Sequence, residues 1–307
     1  MNLRLFYILL ILSGFNKLSG QIIGQLKTIS SFKSVYVDAR RVDFWMPEGI
    51  PKNTKLSVLY MHDGQMLFDS TQTWNHQEWK VDEGITNLYK AGKIPAILVV
   101  AIWNNGAKRH FEYMPELALK QNLSHAEQDT LLNLLHLQRG IGGNDSTGFL
   151  AEAYLNFITK ELMPYVSKNY SIKKGKENTL IMGSSMGGII SLYALCRYPA
   201  VFGKSASLSM HWPILFNSNT LYPEAFLKYL RTQLPDPSKG NKIYIDSGTE
   251  TLDALYPKWL KRSTQLLDDL GYPDGQYRTK IFEAEDHSEK SWSKRFPKTL
   301  EFLLQNH

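Results

Sequence analysis

The chain has one cysteine in 307 residues. No internal disulfide can form, and Cys196 is expected as a small buried hydrophobe in a helix. Repeats and low-complexity linkers are absent, which excludes solenoids and arrays. Lysine and arginine are scattered, so a formal charge of +6 leaves no basic footprint for nucleic acid. The only His-Asp pair that invites a metal, His62-Asp63, has no further ligand at metal spacing, and neither a metal nor an organic cofactor is expected. The apolar stretch 5–12 is too short to span a bilayer.

The residues that are present describe an ordinary globular chain. It is 43% hydrophobic and 21% charged, enough to bury a substantial core, and its length suits one large α/β domain. The first twenty residues differ from the rest. Arg4 precedes the apolar stretch 5–12, and Ser19-Gly20 supply small residues before Gln21. This is the pattern of a secretory signal peptide, with cleavage expected after Gly20 and export to the periplasm or the medium. No cysteine stands near the cut to carry a lipid anchor. Removing 1–20 takes away Arg4 and Lys17 and no acid, leaving +4. No stable membrane insertion is expected after cleavage.

From residue 21 to 307 one domain is expected. Val35-Tyr36-Val37 and Val42-Asp43-Phe44-Trp45-Met46 read as an N-terminal antiparallel hairpin. Further strands are expected at 56–61, 97–102, 180–182, 204–208, 242–245 and 279–282. Helical patterns fall between them at 81–89, 150–165, 188–197, 256–269 and 289–304. Strands alternating with helices predict a mainly parallel sheet covered on both faces. The polar, partly helical stretch 116–146 interrupts the alternation and reads as an insertion near the sheet's C-terminal edge, a candidate partial lid.

Between the strand at 180–182 and the helix at 188–197 lies Gly183-Ser184-Ser185-Met186-Gly187. This is the G-x-S-x-G pattern in its strand-to-helix context. Such a turn lifts the central serine above the sheet and aims the helix N-terminus at it. A serine used this way needs a base, and the base needs an orienting acid, in the chain order Ser, acid, His. Of eight histidines, only His287 and His307 come late enough, and His307 is the terminal residue. His287 follows the last strand and precedes the last helix, in a loop able to swing an imidazole over Ser185. For the acid, Asp246, Glu250 and Asp253 all follow the strand at 242–245. Asp253 ranks first and Glu250 second, and either could instead be a helix-start residue stabilised by the dipole. For an oxyanion hole, the backbone N–H of Met186 and that of Gln65 are the candidates, with Gly64 expected to supply an unusual backbone there. Trp103, His211 and Trp212 lie on loops at the sheet's C-terminal edge and are candidate substrate contacts. Each is equally an ordinary core filler. Arg109, Glu112 and Tyr113 either tie down their loop or hold a substrate, and the structural role is favoured.

Several segments together resemble one branch of the α/β hydrolases, from about residue 41 to 304. They are 60–69 (YMHDGQMLFD), 79–83 (WKVDE), 109–115 (RHFEYMP), 183–188 (GSSMGG), 198–203 (YPAVFG), 248–253 (GTETLD) and 285–292 (EDHSEKSW). The branch holds feruloyl and acetylxylan esterases, enterochelin-type siderophore esterases, S-formylglutathione hydrolases and mycolyltransferases. The resemblance implies the α/β-hydrolase fold, Ser185 as nucleophile, His287 as base, and Asp253 as the favoured acid. It implies a serine esterase acting through an acyl-enzyme, and the aromatic loops and export direct the expectation to acyl or feruloyl esters of carbohydrates. Siderophore-ester hydrolysis and acyl transfer are the alternatives within the fold. A non-catalytic carbohydrate-binding protein on the same scaffold is the alternative outside enzymology.

Overall fold

The computed structural model describes residues 22–138, 140 and 147–305. The expected leader, the end of the polar stretch at 141–146 and His307 lie outside the described residues. Eight strands form one sheet: β1 (Gln25–Phe32), β2 (Arg40–Met46), β3 (Ser57–His62), β4 (Ile97–Ile102), β5 (Thr179–Ser184), β6 (Lys204–Leu208), β7 (Lys242–Ser247) and β8 (Tyr277–Ile281). Their order is β1-β2-β4-β3-β5-β6-β7-β8. β2 pairs antiparallel with both β1 and β4, and every later pairing is parallel.

Residue alternation along the central strands explains the layers. On β4, Leu98, Val100 and Ile102 face one apolar cluster, while Ile97, Val99 and Ala101 face the other. This is the period-two geometry of a pleated strand buried on both faces, and it produces a continuous apolar run in the sequence. The first cluster takes in α5 (Ala151–Asn156), α6 (Met163–Asn169), α7 (Met186–Arg197), α8 (Leu221–Gln233) and α9 (Pro257–Asp269). α1 (Val81–Lys90) and α10 (Glu289–Leu304) cover the second. All of α7 except Arg197 is buried, which is why its sequence is apolar all round. Among the described residues, no helix is long and apolar enough to cross a membrane.

The N-terminal hairpin is present, but its first strand is Gln25–Phe32. Val35 lies in the connection and is 87% exposed. β1 is an edge strand with no residue fully buried, so its sequence lacks the apolar alternation that marks its partner. α8 has no counterpart in the sequence expectation. Pro223 stands in its first turn, where the ring is tolerated, and the aromatics Tyr222, Phe226 and Tyr229 turn inward. Within the polar stretch, α3 (Glu116–Asn122) and α4 (His125–Gln138) follow the short α2 (Arg109–Tyr113). α3 packs against α8.

Because β3 to β8 run parallel, the loops leaving their C-terminal ends gather along one edge of the sheet. Ligands bind there in open α/β sheets.

Candidate active site

Ser185 is the single residue between β5 and α7, with φ 56° and ψ −125°. This is a sparsely populated region for a residue with a side chain. The backbone around it is over-determined. Its N–H donates to the Leu208 carbonyl at 3.0 Å, and its own carbonyl accepts from Gly188 N–H at 3.0 Å and His211 N–H at 3.2 Å. The turn is tight enough to require Gly183, where a Cβ would lie 2.7 Å from the Gly187 carbonyl. Met186 is the first residue of α7, so its N–H has no acceptor within the helix.

The loop after β3 lies against this helix start, for a Cβ on Gly187 would come within 3.3 Å of the Asp63 carboxylate. Asp63, not Gly64, holds the left-handed conformation here, at φ 56°. Gly64 is needed for space instead: a Cβ there would meet the Ala101 carbonyl at 2.8 Å. The Asp63 carboxylate accepts from Arg109 Nε and Nη2 at 2.6 and 2.7 Å and from Asn104 Nδ2 at 2.7 Å. Burial pushes this carboxyl up, but Arg109 and Asn104 outweigh it and hold its pKa below the ordinary value. These contacts fix the turn that carries Gln65. His62 points the other way, its Nδ1 lying 2.7 Å from the Tyr154 hydroxyl. Burial drives its pKa down to about 3, so the ring is neutral.

His287 lies in the loop between β8 and α10. Its Nδ1–H donates to Asp253 Oδ1 at 2.5 Å, and its backbone N–H donates to Thr251 Oγ1 at 3.0 Å. Trp292 and Tyr256 meet the imidazole edge-on, with centroids 5.0 and 5.8 Å away. Asp253 is fully buried, and its Oδ2 accepts from Gly248 N–H at 2.6 Å and from the Ser209 hydroxyl at 2.5 Å. The acid loop and the histidine loop are laced together, as Thr249 and Glu250 N–H both donate to the Glu285 carbonyl. Glu250 itself is exposed at the start of the short helix Thr251–Leu255. Asp246 is buried one layer further back. It accepts from Ser209 N–H at 2.9 Å and Tyr244 hydroxyl at 3.0 Å, and it faces Arg295 at 3.2 Å. Burial raises its pKa to about 6 against the pull of Arg295.

Ser185, His287 and Gln65 line one cavity of about 760 Å³, within the usual range for small-molecule sites. Three expected substrate contacts are not among its lining residues. Trp103 turns away, its Nε1–H donating to Asp43 at 2.7 Å and its ring lying 4.2 Å from the Arg41 guanidinium. His211 is buried with Nδ1 2.6 Å from the Tyr256 hydroxyl. Trp212 is buried against Phe226. Loop position brought these residues to the correct edge, but tertiary packing turned their side chains inward. The aromatic lining comes instead from Trp74, Trp79, Phe216 and Trp292. Arg109 lines the cavity while anchoring its loop, and Glu112 is spent in a buried pair with Arg40 at 2.6 Å. No described residue of 116–138 lines the cavity.

The family model described as "Putative esterase" matches residues 36–303. The chain belongs to this esterase family. Among curated relatives, it is 24% identical over 162 residues to the uncharacterized protein YbbA of Bacillus subtilis, covering 51% of this chain and 61% of that protein. It is 25% identical over 157 residues to an endo-1,4-beta-xylanase/feruloyl esterase of Xylanibacter ruminicola, covering 51% of this chain and 18% of that protein. Both matches span less than two thirds of the relative's own length. Solved structures share the fold at low identity. A ferulic acid esterase superposes with a TM-score of 0.62 at 16% identity, covering 92% of this chain and 98% of the other. The enterobactin esterase of Shigella flexneri gives 0.63 at 17%, covering 93% and 60%. The eight-stranded sheet with its antiparallel N-terminal hairpin is thus an α/β-hydrolase fold.

Proposed function

We propose that this chain is an exported serine carboxylic-ester hydrolase acting through an acyl-enzyme on acyl or feruloyl esters of carbohydrates. The observation that carries the reading is the 2.5 Å hydrogen bond between the buried Asp253 and His287, a histidine that lines the same cavity as the strained Ser185. In this reading Ser185 Oγ attacks the ester carbonyl while His287 Nε2 takes its proton. Asp253 holds the tautomer with the proton on Nδ1 and stabilises the imidazolium that forms. The N–H groups of Met186 and Gln65 receive the developing oxyanion. His287 then passes its proton to the departing alkoxide, and water, activated by the same imidazole, releases the acid.

The substrate class draws on relatives, among them a protein named as both xylanase and feruloyl esterase. Trp79, Phe216 and Trp292 in the cavity lining suit a cinnamoyl-type acyl group or a sugar face. Export rests on the 1–20 pattern.

A panel of acetyl, feruloyl and longer acyl esters, each offered on methanol and on a xylo-oligosaccharide, tests the activity. Release of acid from at least one of them is expected, and a folded protein that cleaves none overturns the reading. N-terminal sequencing of protein from its native host is expected to begin near Gln21. An intact Met1 on functional protein overturns export.

A further inference from the structure

Trp74 is the most conspicuous residue that the catalytic reading leaves unused. It lines the cavity and yet is 84% exposed, an unfavourable setting for so large an apolar ring in water. Its loop is not loose. Thr73, next to it, is buried and donates its hydroxyl to the Ser70 carbonyl at 3.0 Å. On the other side Asn75 Nδ2 donates to Glu289 Oε2 at 2.7 Å, and its Oδ1 accepts from Gln77 N–H at 3.1 Å. Gln77 Oε1 in turn accepts from Lys290 N–H at 3.1 Å. Polar anchors therefore fix the backbone on both sides while the indole is held out at the rim. The backbone that carries the ring has little further freedom to lose on binding, which lowers the cost of docking a ligand against it.

The anchors also say which part of an ester lies there. Asn75 and Gln77 are bonded to Glu289 and Lys290, which begin the helix directly after His287. His287 must deliver its proton to the departing alcohol oxygen, so the alcohol half of the ester leaves on the histidine side of the scissile carbon. The Trp74 rim is on that side. Around the indole, Asn75, Gln77 and Glu289 all line the cavity, a set of amide and carboxyl groups suited to hydroxyls. Glu289 and Asp286 on the same wall disfavour an anionic alcohol.

Resting on the esterase reading above, we propose that Trp74, with Asn75, Gln77 and Glu289, forms a subsite for an uncharged pyranose ring on the alcohol side of the ester. The sugar's C–H face lies on the negative face of the indole, and its hydroxyls reach the amides and the carboxyl at the ring edge. Each turnover remains an ordinary acylation. The Ser185 Oγ–acyl bond forms, the acyl–O(sugar) bond breaks, and the sugar oxygen keeps the electron pair and takes the proton from His287.

The test compares two substrates with the same acyl group, a feruloylated xylo-oligosaccharide and methyl ferulate, or the acetyl pair if acetyl is the group cleaved. Trp74→Ala is expected to lower kcat/KM on the sugar ester about tenfold, chiefly through KM, and to leave the methyl ester within about twofold. Trp74→Phe, which keeps an aromatic face, is expected to recover most of the loss. An equal loss on both esters, or no loss on the sugar ester, overturns the subsite. Calorimetric titration of Ser185→Ala with the unesterified neutral xylo-oligosaccharide is independent of turnover. Binding that disappears in the Ser185→Ala, Trp74→Ala double variant supports the subsite even if no ester in the panel is cleaved. Absence of binding at millimolar sugar, or binding that survives the loss of Trp74, overturns it.

Discussion

The Ser209 hydroxyl donates to Asp253 Oδ2 at 2.5 Å, on the opposite side of the carboxylate from His287. Ser209 is held at φ 44°, a strained conformation for a serine. Its oxygen accepts from both Trp292 Nε1 and Arg295 Nη2 at 2.9 Å, while its N–H donates to Asp246. One hydroxyl thus joins the candidate acid to a buried arginine–aspartate pair.

Removing that hydroxyl tests whether it positions the acid. Ser209→Ala leaves Asp253 with one fewer donor and leaves two buried donors without their acceptor. A stability loss of about 1–3 kcal/mol is expected by denaturant unfolding. At a temperature where the variant is folded, kcat is expected to fall about tenfold with KM little changed. Unchanged kcat in a destabilised protein would make Ser209 purely structural.

Asp253 and Glu250 are separated by the same reasoning. Asp253 is buried and bonded to His287, whereas Glu250 is exposed. Asp253→Asn keeps the shape but offers the imidazole an amide in place of a carboxylate, a change that costs about 10⁴ in a serine protease. A severe loss of kcat is expected for Asp253→Asn and a change within about twofold for Glu250→Gln. A crippled Glu250→Gln protein would transfer the role to that residue.

Ser185→Ala removes the proposed nucleophile without disturbing the sheet. Loss of a triad member costs several orders of magnitude in rate, so kcat is expected to fall at least about 10³-fold while the thermal midpoint stays near that of the parent. A folded variant keeping more than about a tenth of kcat is incompatible with an acyl-serine mechanism.

The parts of this molecule legible in the sequence are those fixed by local pattern. β4 and α10 coincide with their expected spans because one is buried on both faces and the other presents a strong apolar stripe. The strand–turn–helix around Ser185 is likewise local chemistry. Edge strand β1 was hidden because solvent imposes no alternation on it. Asp253 and Glu250 are three residues apart on one loop, and only burial distinguishes them. Side-chain direction was the larger obscurity. Trp103, His211 and Trp212 occupy the expected loops but point away from the cavity, whereas Trp74 sits in a polar stretch with no pattern to announce it. Ser209 reaches the acid from 44 residues away along the chain, and Arg295 reaches Ser209 from 86, distances over which sequence spacing carries no geometry.

A last prediction concerns stability against pH at the start of α1. Asp82 opens α1, is 2% exposed, and accepts from Ile23 N–H at 2.8 Å, which ties the chain entering β1 to the helix. Burial, and then the neighbouring Glu83 carboxyl, push its pKa up to about 7, against about 3.9 for an unfolded aspartate. The folded state therefore holds this proton more tightly than the unfolded state does. Its contribution to stability is fully present below about pH 4 and is lost as pH rises through about 7. Asp82→Asn stays neutral throughout and keeps an oxygen for Ile23. The variant is expected to melt a few degrees above the parent at pH 8, on the order of the shift produced by one to two kcal/mol. The two midpoints are expected to converge near pH 4. Parallel melting curves across this range, with the Asn variant following the parent's pH dependence, would show that Asp82 is already ionised in the fold and that burial does not control it.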